Sequence, residues 1–211
     1  SPNSFEWDTT LLDNESVHTI MIRVYDIEGD ISDSTPISVT IANLTSLWFE
    51  RTAGGEYYDQ ANSVRQTADL GYVAVGQTQV SQGDNPDVFI VKWDSLGNEQ
   101  WAISLGGAGF DIGYDIRQTT DEGYIVVGST DSFGAGHYDI WLIKTDPNGT
   151  ELWTKTFGGS QADLGSTVIL TNDGGYIISG STSSFGDFNV NTWIIKTDSN
   201  GNEMWNIIHG G

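Results

Sequence analysis

The sequence of 211 residues contains no cysteine. Without cysteine the chain has no thiol nucleophile, no disulfide and no zinc–thiolate site. Basic residues are also few, because eight Lys and Arg stand against 29 Asp and Glu, for a formal net charge of −21. A charge of this sign repels the phosphates of nucleic acids and of anionic membranes, so neither is an expected partner.

Long apolar runs are absent as well. No stretch approaches the ~18 consecutive apolar residues that indicate a membrane-spanning helix, so no membrane insertion is expected in this segment. Eight each of Trp, Tyr and Phe nonetheless supply large apolar side chains for a core. This composition is typical of a folded protein and unlike that of a disordered tail.

What the sequence does contain is a repeat of 52 residues. The recurring residues are Gly-Gly at 54–55, 106–107, 158–159 and 210–211, Gly-Tyr at 71–72, 123–124 and 175–176, and Lys-x-Asp-x-x-Gly from 92, 144 and 196. A period of this size indicates stacked supersecondary units. A residue that recurs in every unit is therefore interpreted first as structural and only then as functional.

Each repeat is predicted to form four short strands, which in the second repeat span 113–119, 123–130, 139–145 and 150–156. Runs such as Tyr124–Val127 and Ile140–Ile143 are apolar on both faces, which indicates a sheet covered on both sides. Turn residues separate the strands, for example Asp146-Pro147-Asn148-Gly149. We therefore expect an all-β chain of three four-stranded antiparallel sheets, with the geometry of β-propeller blades.

Motifs for catalysis are missing. The three histidines share no motif, and no serine lies in a Gly-x-Ser-x-Gly elbow. Most candidate acids recur at one repeat position, whereas carboxylate catalysis needs a single asymmetric pair. The acids outside that register are Glu50, Glu56 and Asp115. Because no base or nucleophile accompanies them, the sequence predicts no enzymatic activity, no catalytic residue and no cofactor-binding residue.

The strings "GYIVVGST", "DIWLIKTDPNGTELW" and "FGGSQADLG" resemble the repeat of secreted bacterial and archaeal β-propeller proteins. The pattern Lys-x-Asp-x-x-Gly-x-x-x-Trp is similar to the tryptophan-docking motif of propellers of the pyrroloquinoline-quinone type. The resemblance covers about residues 46–211. It implies that Trp101, Trp153 and Trp205 pack between neighbouring blades. No quinone is expected, because the chain has no cysteine and no distinct ligand set.

Residues 1–43 lie outside the repeat and contain three strand-like stretches, at 5–10, 17–26 and 36–42. The segment "WDTTLLDNESVHTIMIRVYDIEGDISDSTPISVTI" resembles the last three strands of a bacterial immunoglobulin-like domain. Such a sandwich needs ~100 residues. We expect the missing strands either upstream in a longer chain or in another subunit, which would complete the sheet by strand addition and form a homo-oligomer.

The remaining residues, 44–211, are assigned to propeller blades at about 53–104, 105–156 and 157–208. A segment at 46–52 matches a fourth strand and precedes the first blade. Closed propellers usually need about four to eight blades. We therefore interpret the chain as an arc of a larger propeller, of about seven or eight blades.

Three groups of residues are candidate ligand or modification sites. Two oxygen-rich turns are candidate calcium sites with the ligands Asp146, Asn148, Asp198 and Asn200, although a hairpin turn in which Asp bonds its own backbone is favoured. The loops between second and third strands carry aromatic and histidine side chains that could hold a ligand, at Phe133, His137, Tyr138, Phe185 and Phe188. Candidate N-glycosylation sequons begin at Asn14, Asn43 and Asn148.

These observations favour a non-enzymatic, extracellular surface protein for adhesion, scaffolding or filament assembly, in which an immunoglobulin-like spacer precedes propeller blades. Its partners would be other protein subunits or surface glycans. Two alternatives remain open: a carbohydrate-binding propeller with sugar in the aromatic loops, and a non-catalytic propeller module of a larger secreted enzyme.

Overall fold

The computed structural model describes residues 17–20, 23–25, 31–33, 37–40, 52–79, 81–187 and 189–210. Among these residues, all regular elements are β-strands, numbered β1 to β16. No helix in this part of the chain has the length and hydropathy to cross a membrane. The chain separates into two compact parts, Ser1–Phe49 and Glu50–Gly211, each of which is described by itself.

The N-terminal part contains four short strands: β1 (Val17–Ile20), β2 (Arg23–Tyr25), β3 (Ile31–Asp33) and β4 (Ile37–Thr40). β1 pairs antiparallel with β4, and β2 pairs antiparallel with β3. The predicted stretches at 17–26 and 36–42 contain β1, β2 and β4, whereas β3 was not predicted. The stretch at 5–10 lies outside the described residues, and the immunoglobulin-like assignment stays a prediction.

The C-terminal part contains three four-stranded antiparallel sheets, one for each repeat. Sheet 1 comprises β5 (Asp59–Gln66), β6 (Tyr72–Thr78), β7 (Asp87–Trp93) and β8 (Glu99–Leu105). Sheet 2 comprises β9 (Asp111–Gln118), β10 (Tyr124–Thr130), β11 (Asp139–Thr145) and β12 (Glu151–Phe157). Sheet 3 comprises β13 (Asp163–Leu170), β14 (Tyr176–Thr182), β15 (Asn191–Thr197) and β16 (Glu203–His209). Within each sheet, every strand pairs with the next along the chain.

This arrangement confirms the prediction of an all-β chain with four strands in each repeat. In the second repeat, three predicted strands agree with the observed ones to within one residue at both ends. The first strand starts at Asp111 and not at residue 113, because Asp111 and Ile112 already pair with Thr130 and Ser129. The segment 46–52, predicted as a strand, lies outside the described residues except for Thr52, which is not in a strand.

Sheet 2 lies between sheets 1 and 3 and is covered on both faces. Successive residues of a strand point to opposite faces. Tyr124 and Val126 therefore pack in the cluster that includes Val75 of sheet 1, while Ile125 and Val127 pack in the cluster that includes Ile178 of sheet 3. The continuous apolar run in β10 is thus explained by burial on both sides, as its sequence indicated.

A lysine–aspartate pair recurs in every repeat and joins the turn after the first strand to the third strand. Lys92 contacts Asp69 at 2.8 Å, and the equivalent pairs are Lys144–Asp121 at 3.0 Å and Lys196–Asp173 at 2.9 Å. Each aspartate also accepts hydrogen bonds from a threonine hydroxyl and a glycine N–H of its own turn. The repeated Asp, Gly and Lys therefore have a structural role.

Candidate functional site

The first strands of the three sheets approach one another, since β9 contacts both β5 and β13. Each of these strands has a β-bulge, which leaves Asn62, Tyr114 or Ser166 out of the pairing register. A bulge redirects the neighbouring side chains and is frequent next to functional residues. The residues that follow the bulges, at 63, 115 and 167, occupy one repeat position.

Asp115 accepts hydrogen bonds from both equivalent residues. The Ser63 hydroxyl donates to Oδ1 at 2.9 Å, and the Thr167 hydroxyl donates to Oδ2 at 2.7 Å, in each case across 52 residues of chain. The N–H of Val168 also donates to Oδ2 at 3.2 Å. One carboxylate thus links the first strands of all three sheets.

Two arginines at one repeat position flank this carboxylate. Arg65 contacts Oδ1 at 2.8 Å and Arg117 contacts Oδ2 at 3.1 Å, while Nε of Arg117 donates to the carbonyl of Val168 at 3.0 Å. The side chain of Asp115 is 5% exposed, whereas those of Arg65 and Arg117 are 37% and 30% exposed. We call Asp115, Arg65, Arg117, Ser63 and Thr167 the first-strand cluster.

The electrostatics of the first-strand cluster keep Asp115 ionised. Burial would raise the pKa of Asp115, but hydrogen bonds from Thr167, Val168 and Ser63, together with the charge of Arg117, outweigh it and lower the pKa. Both carboxylate oxygens are occupied by donors, so Asp115 has neither a free lone pair for general-base catalysis nor the proton of a general acid. The cluster is therefore an ionic link between sheets.

Sequence reasoning identified Asp115 as an acid outside the repeat register but found no partner for it. The partners lie about one repeat away along the chain and meet only when the sheets stack. The alignment of the repeats carried a signal, because Ser63, Asp115 and Thr167 are three polar residues at one position and Arg65 and Arg117 recur two residues later.

Trp101 and Trp153, in the fourth strands, lie at the two interfaces between sheets. Trp101 packs on Tyr124 with 5.7 Å between ring centroids, and its Nε1 donates to the carbonyl of Pro147 at 3.2 Å. Trp153 packs on Tyr176 at 6.2 Å. The equivalent Trp205 of sheet 3 is 43% exposed.

The aromatic loops carry partly exposed phenylalanines. Phe133 and Phe185 are 45% and 40% exposed, and each ring contacts a tryptophan of the third strand, Trp141 or Trp193, at 5.3 Å between centroids. Phe185, Phe157 and Ile208 border a depression of about 300 Å³.

The other residues proposed for these loops are arranged differently. His137 is exposed. Tyr138 is half-buried, and burial together with the charge of Asp131 raises its pKa. Phe188 lies outside the described residues. In the loop 131–138, Phe133 and His137 are thus exposed while Tyr138 is partly covered.

In the candidate calcium turns, the carboxylates bond their own backbone. Oδ1 of Asp146 accepts from the N–H groups of Asn148 and Thr150, and Oδ1 of Asp198 accepts from those of Asn200 and Asn202, all at 2.8 Å. This is the hairpin-turn geometry that the sequence favoured. Within the described ranges, no group of three or more His, Asp or Glu is placed to hold a metal ion.

The sequons occupy different parts of the chain. Asn148 is exposed in the turn between β11 and β12, where its side chain can be reached from solvent. Asn14 and Asn43 lie outside the described residues. The structure thus positions one of the three candidate glycosylation residues.

No protein-family model matches the sequence. One curated relative is described as the regulatory protein FlaEY of Caulobacter vibrioides, which is 26% identical to this chain over 139 residues. That similarity covers 58% of this chain and 14% of FlaEY, so the chain spans a small fraction of the relative's length. The chain is thus similar to part of FlaEY.

Proposed function

We propose that this chain is a non-enzymatic structural module, an arc of β-propeller blades in an extracellular surface protein for adhesion, scaffolding or array assembly. The observation that carries the proposal is the recurrence of one interface at both sheet junctions. Trp101 contacts Tyr124 of the following repeat, and Trp153 makes the equivalent contact with Tyr176 of the repeat after that. An interface repeated in this way can be extended by adding units.

The outer face of sheet 3 supports this proposal because it matches the docking face of the other sheets. Trp205, Ile207 and Ile169 are 43%, 57% and 48% exposed there. In sheets 1 and 2 the equivalent tryptophans are half-buried against the next sheet. Exposed apolar residues grouped on one face mark an interaction surface. We assign its occupant as a further four-stranded unit of the same repeat.

A non-catalytic role agrees with the chemistry of the first-strand cluster. Asp115, the buried acid outside the repeat register, has all its acceptor positions occupied. The description of FlaEY as a regulatory protein is also compatible with such a role. The acidic composition and the resemblance to secreted propellers support the extracellular location, and the N-terminal strands would serve as an immunoglobulin-like spacer.

The architecture can be tested by extending the chain with one more copy of residues 105–156 after residue 208. The added copy carries Trp153→Phe, so that it does not bring a second exposed fourth-strand tryptophan. If sheet 3 presents a docking face, the added unit covers Trp205, shifts tryptophan emission to shorter wavelength and raises Tm. The matched control is the same extension carrying Tyr124→Ala in the added copy only, which removes the ring that receives the tryptophan. Equal emission and Tm in the extended and original chains would refute the docking face.

The location can be tested on intact cells that produce the protein. Antibody against residues 52–210 should label intact cells, and added protease should remove that label without lysis. Labelling only after permeabilisation would contradict an extracellular surface protein. It would leave the repeat architecture unaffected.

The exposed phenylalanines favour carbohydrate binding as a second candidate function. Phe185 borders a depression of about 300 Å³ with Trp193, a size at the lower limit of ligand pockets. Binding on a glycan array should disappear in the double variant Phe133→Ala and Phe185→Ala. Leu152→Ala, which removes another exposed apolar side chain, should retain it. An array on which the native chain binds no glycan would exclude this function.

A further inference from the structure

Two pairs of aspartates face each other at the sheet junctions, away from the first-strand cluster. One residue of each pair begins the third strand of a sheet, and the other begins the first strand of the next sheet. The pairs are Asp87 with Asp111 and Asp139 with Asp163. The N–H of Asp163 donates to the carbonyl of Tyr138 at 2.6 Å, and the N–H of Asp111 donates to that of Pro86 at 2.8 Å. These backbone bonds hold the paired residues side by side.

A glycine lies beside each pair, and because it has no side chain the two carboxylates fit against its backbone. A Cβ built on Gly158 would overlap Oδ1 of Asp139 and lie 2.8 Å from Oδ2 of Asp163. A Cβ built on Gly106 would overlap Oδ1 of Asp87 and lie 2.7 Å from Oδ2 of Asp111. Carboxylate oxygens from two sheets therefore lie close together where each glycine has no side chain.

The carboxylates at these junctions are buried and incompletely bonded. Asp111, Asp139 and Asp163 are at most 1% exposed. Oδ1 of Asp87, Asp111 and Asp139 is buried and has no hydrogen-bond partner. The hydrogen bonds to the other oxygens compensate this burial only in part, and a buried carboxylate is destabilising until its remaining charge is neutralised.

Protein cations do not supply that neutralisation. Among the described residues, the ion pairs of Lys and Arg involve Asp69, Asp115, Asp121 and Asp173, and none involves a junction aspartate. The nearest polar side chains are the hydroxyls of Ser132 and Ser184, which donate to Asp111 and Asp163 at 2.6 Å. Backbone N–H groups of Gly107, Gly159 and Ala135 also donate to Oδ2 of Asp111, Asp163 and Asp139. The oxygens that these donors leave free, together with the serine hydroxyls, are of the type that hard divalent cations bind.

The third repeat shows the same position in a neutral form. Asn191 occupies the place of Asp87 and Asp139, and its amide donates to the carbonyls of Phe185 and Asn189 at 3.0 and 2.9 Å. Replacing aspartate by asparagine at this strand start is therefore compatible with the fold. It removes one negative charge without changing the size of the side chain.

We propose that each junction pair, Asp87–Asp111 and Asp139–Asp163, binds a hard divalent cation, with calcium the best match, which links one sheet to the next. Two carboxylates balance the charge of one divalent ion. Serine hydroxyls, backbone carbonyls and water would complete the coordination that calcium requires. These residues are different from the turn aspartates, whose carboxylates already bond their own backbone.

The test uses the 211-residue chain after treatment with a chelator, titrated with calcium chloride at neutral pH. Calorimetry should find two sites, and calcium at about 100-fold its Kd should raise Tm by about 10–20 °C, reversibly on addition of chelator. Asp87→Asn and Asp139→Asn should each reduce the stoichiometry from two sites to one, and the double variant should not respond. Glu151→Gln, an equal charge change at an exposed residue, should behave like the native chain.

Three results would overturn the proposal. One is a native chain whose Tm does not respond to calcium. The second is a calcium response that persists in the double variant and disappears in Asp146→Asn, which would place the ion at a turn. The third is stabilisation on acidification with no calcium response, which would mean that each pair shares a proton instead. The single variants keep the test valid if the double variant does not fold, because each retains one intact pair.

Discussion

Asp115 and Thr167 lie one repeat apart in sequence, and the hydroxyl of Thr167 donates a 2.7 Å hydrogen bond to Oδ2 of Asp115. The same carboxylate accepts from Ser63, one repeat earlier. The first strands are thus joined by a single residue that differs in chemistry from its equivalents. We therefore expect Asp115 of the middle repeat to determine how strongly the first strands of sheets 1 and 3 are bound to sheet 2.

Asp115→Ala should lower the free energy of unfolding by about 2–4 kcal/mol. Removing one partner of a buried ion pair typically costs about 3–5 kcal/mol, and solvent screening reduces this because both arginines are about one-third exposed. Urea denaturation measures the change. Glu151→Ala, at an exposed site, serves as the control, and equal effects of the two substitutions would show that the cluster does not stabilise the sheets.

The three lysine–aspartate pairs predict a loss of stability in acid. Hydrogen bonds from Lys92 and Thr67 lower the pKa of Asp69 to about 2. Hydrogen bonds from Thr171 and Lys196 lower the pKa of Asp173. At Asp121, burial raises the pKa but is outweighed by Thr119 and Lys144, so the net shift is downward. Because the folded pKa values lie below the unfolded value of about 3.9, the stabilisation is complete above that pH.

This stabilisation should therefore disappear as the pH falls from about 4 to about 2. In the triple variant with asparagine at 69, 121 and 173, Tm should fall less steeply over this range than in the native chain. Glu151→Gln provides a comparison with the same type of charge change. An unchanged slope in the triple variant would show that these pairs do not contribute.

The fourth-strand tryptophans lie in two different environments, so replacing them with alanine should reduce the free energy of unfolding by different amounts. Trp153→Ala removes a ring packed on Tyr176 in the core between sheets 2 and 3, and should cost about 3 kcal/mol. Trp205→Ala removes a ring that is 43% exposed and should cost less than about 1.5 kcal/mol. Guanidinium denaturation of both variants makes the comparison. A larger effect at Trp205 would contradict the packing described.

Gly149 combines a left-handed backbone with close packing. Its φ is +83°, and an added Cβ would lie 3.0 Å from the Trp101 ring. Gly83 has a similar φ of +94°, but nothing lies within 4 Å of its Cβ position. Gly83→Ala should therefore cost about 1 kcal/mol from backbone strain alone, and Gly149→Ala about 2–3 kcal/mol. Thermal unfolding of the two variants measures both losses of stability, and their difference is the contribution of the close contact with Trp101. Equal losses would show that this contact contributes nothing.

Much of the fold of the repeats could be predicted from local sequence. β-Branched and aromatic runs such as Tyr124–Val127 identify strands, and Asp-x-Asn-Gly identifies the hairpins between them, because both depend on residues near in sequence. The strand β3, Ile31–Asp33, was missed because it is only three residues long and its neighbours in sequence are polar residues and glycine. Short strands of this kind are defined by their pairing partner and not by their own pattern.

The candidate sites were harder to predict, because their residues come from different repeats. Asp139 and Asp163 meet only where one sheet begins its third strand and the next begins its first. In the alignment of repeats Asp163 was interpreted as structural because it recurs as Asp59 and Asp111, and Asp139 was not singled out. Recurrence identified the position but not the buried, unpartnered oxygens, which depend on the packing of one sheet against another.

The position of sheet 2 has a consequence for how the molecule opens. In the three four-stranded sheets all strand pairings join strands adjacent in sequence, so a sheet at either end can detach without breaking strand pairing in the others. Residues of β10 and β11, enclosed from both sides, should then be the slowest to exchange their amide hydrogens with deuterium, while β5 and β16 exchange through local fraying. Protection that decreases from sheet 2 towards sheets 1 and 3 would show that the stack of sheets unfolds from its ends.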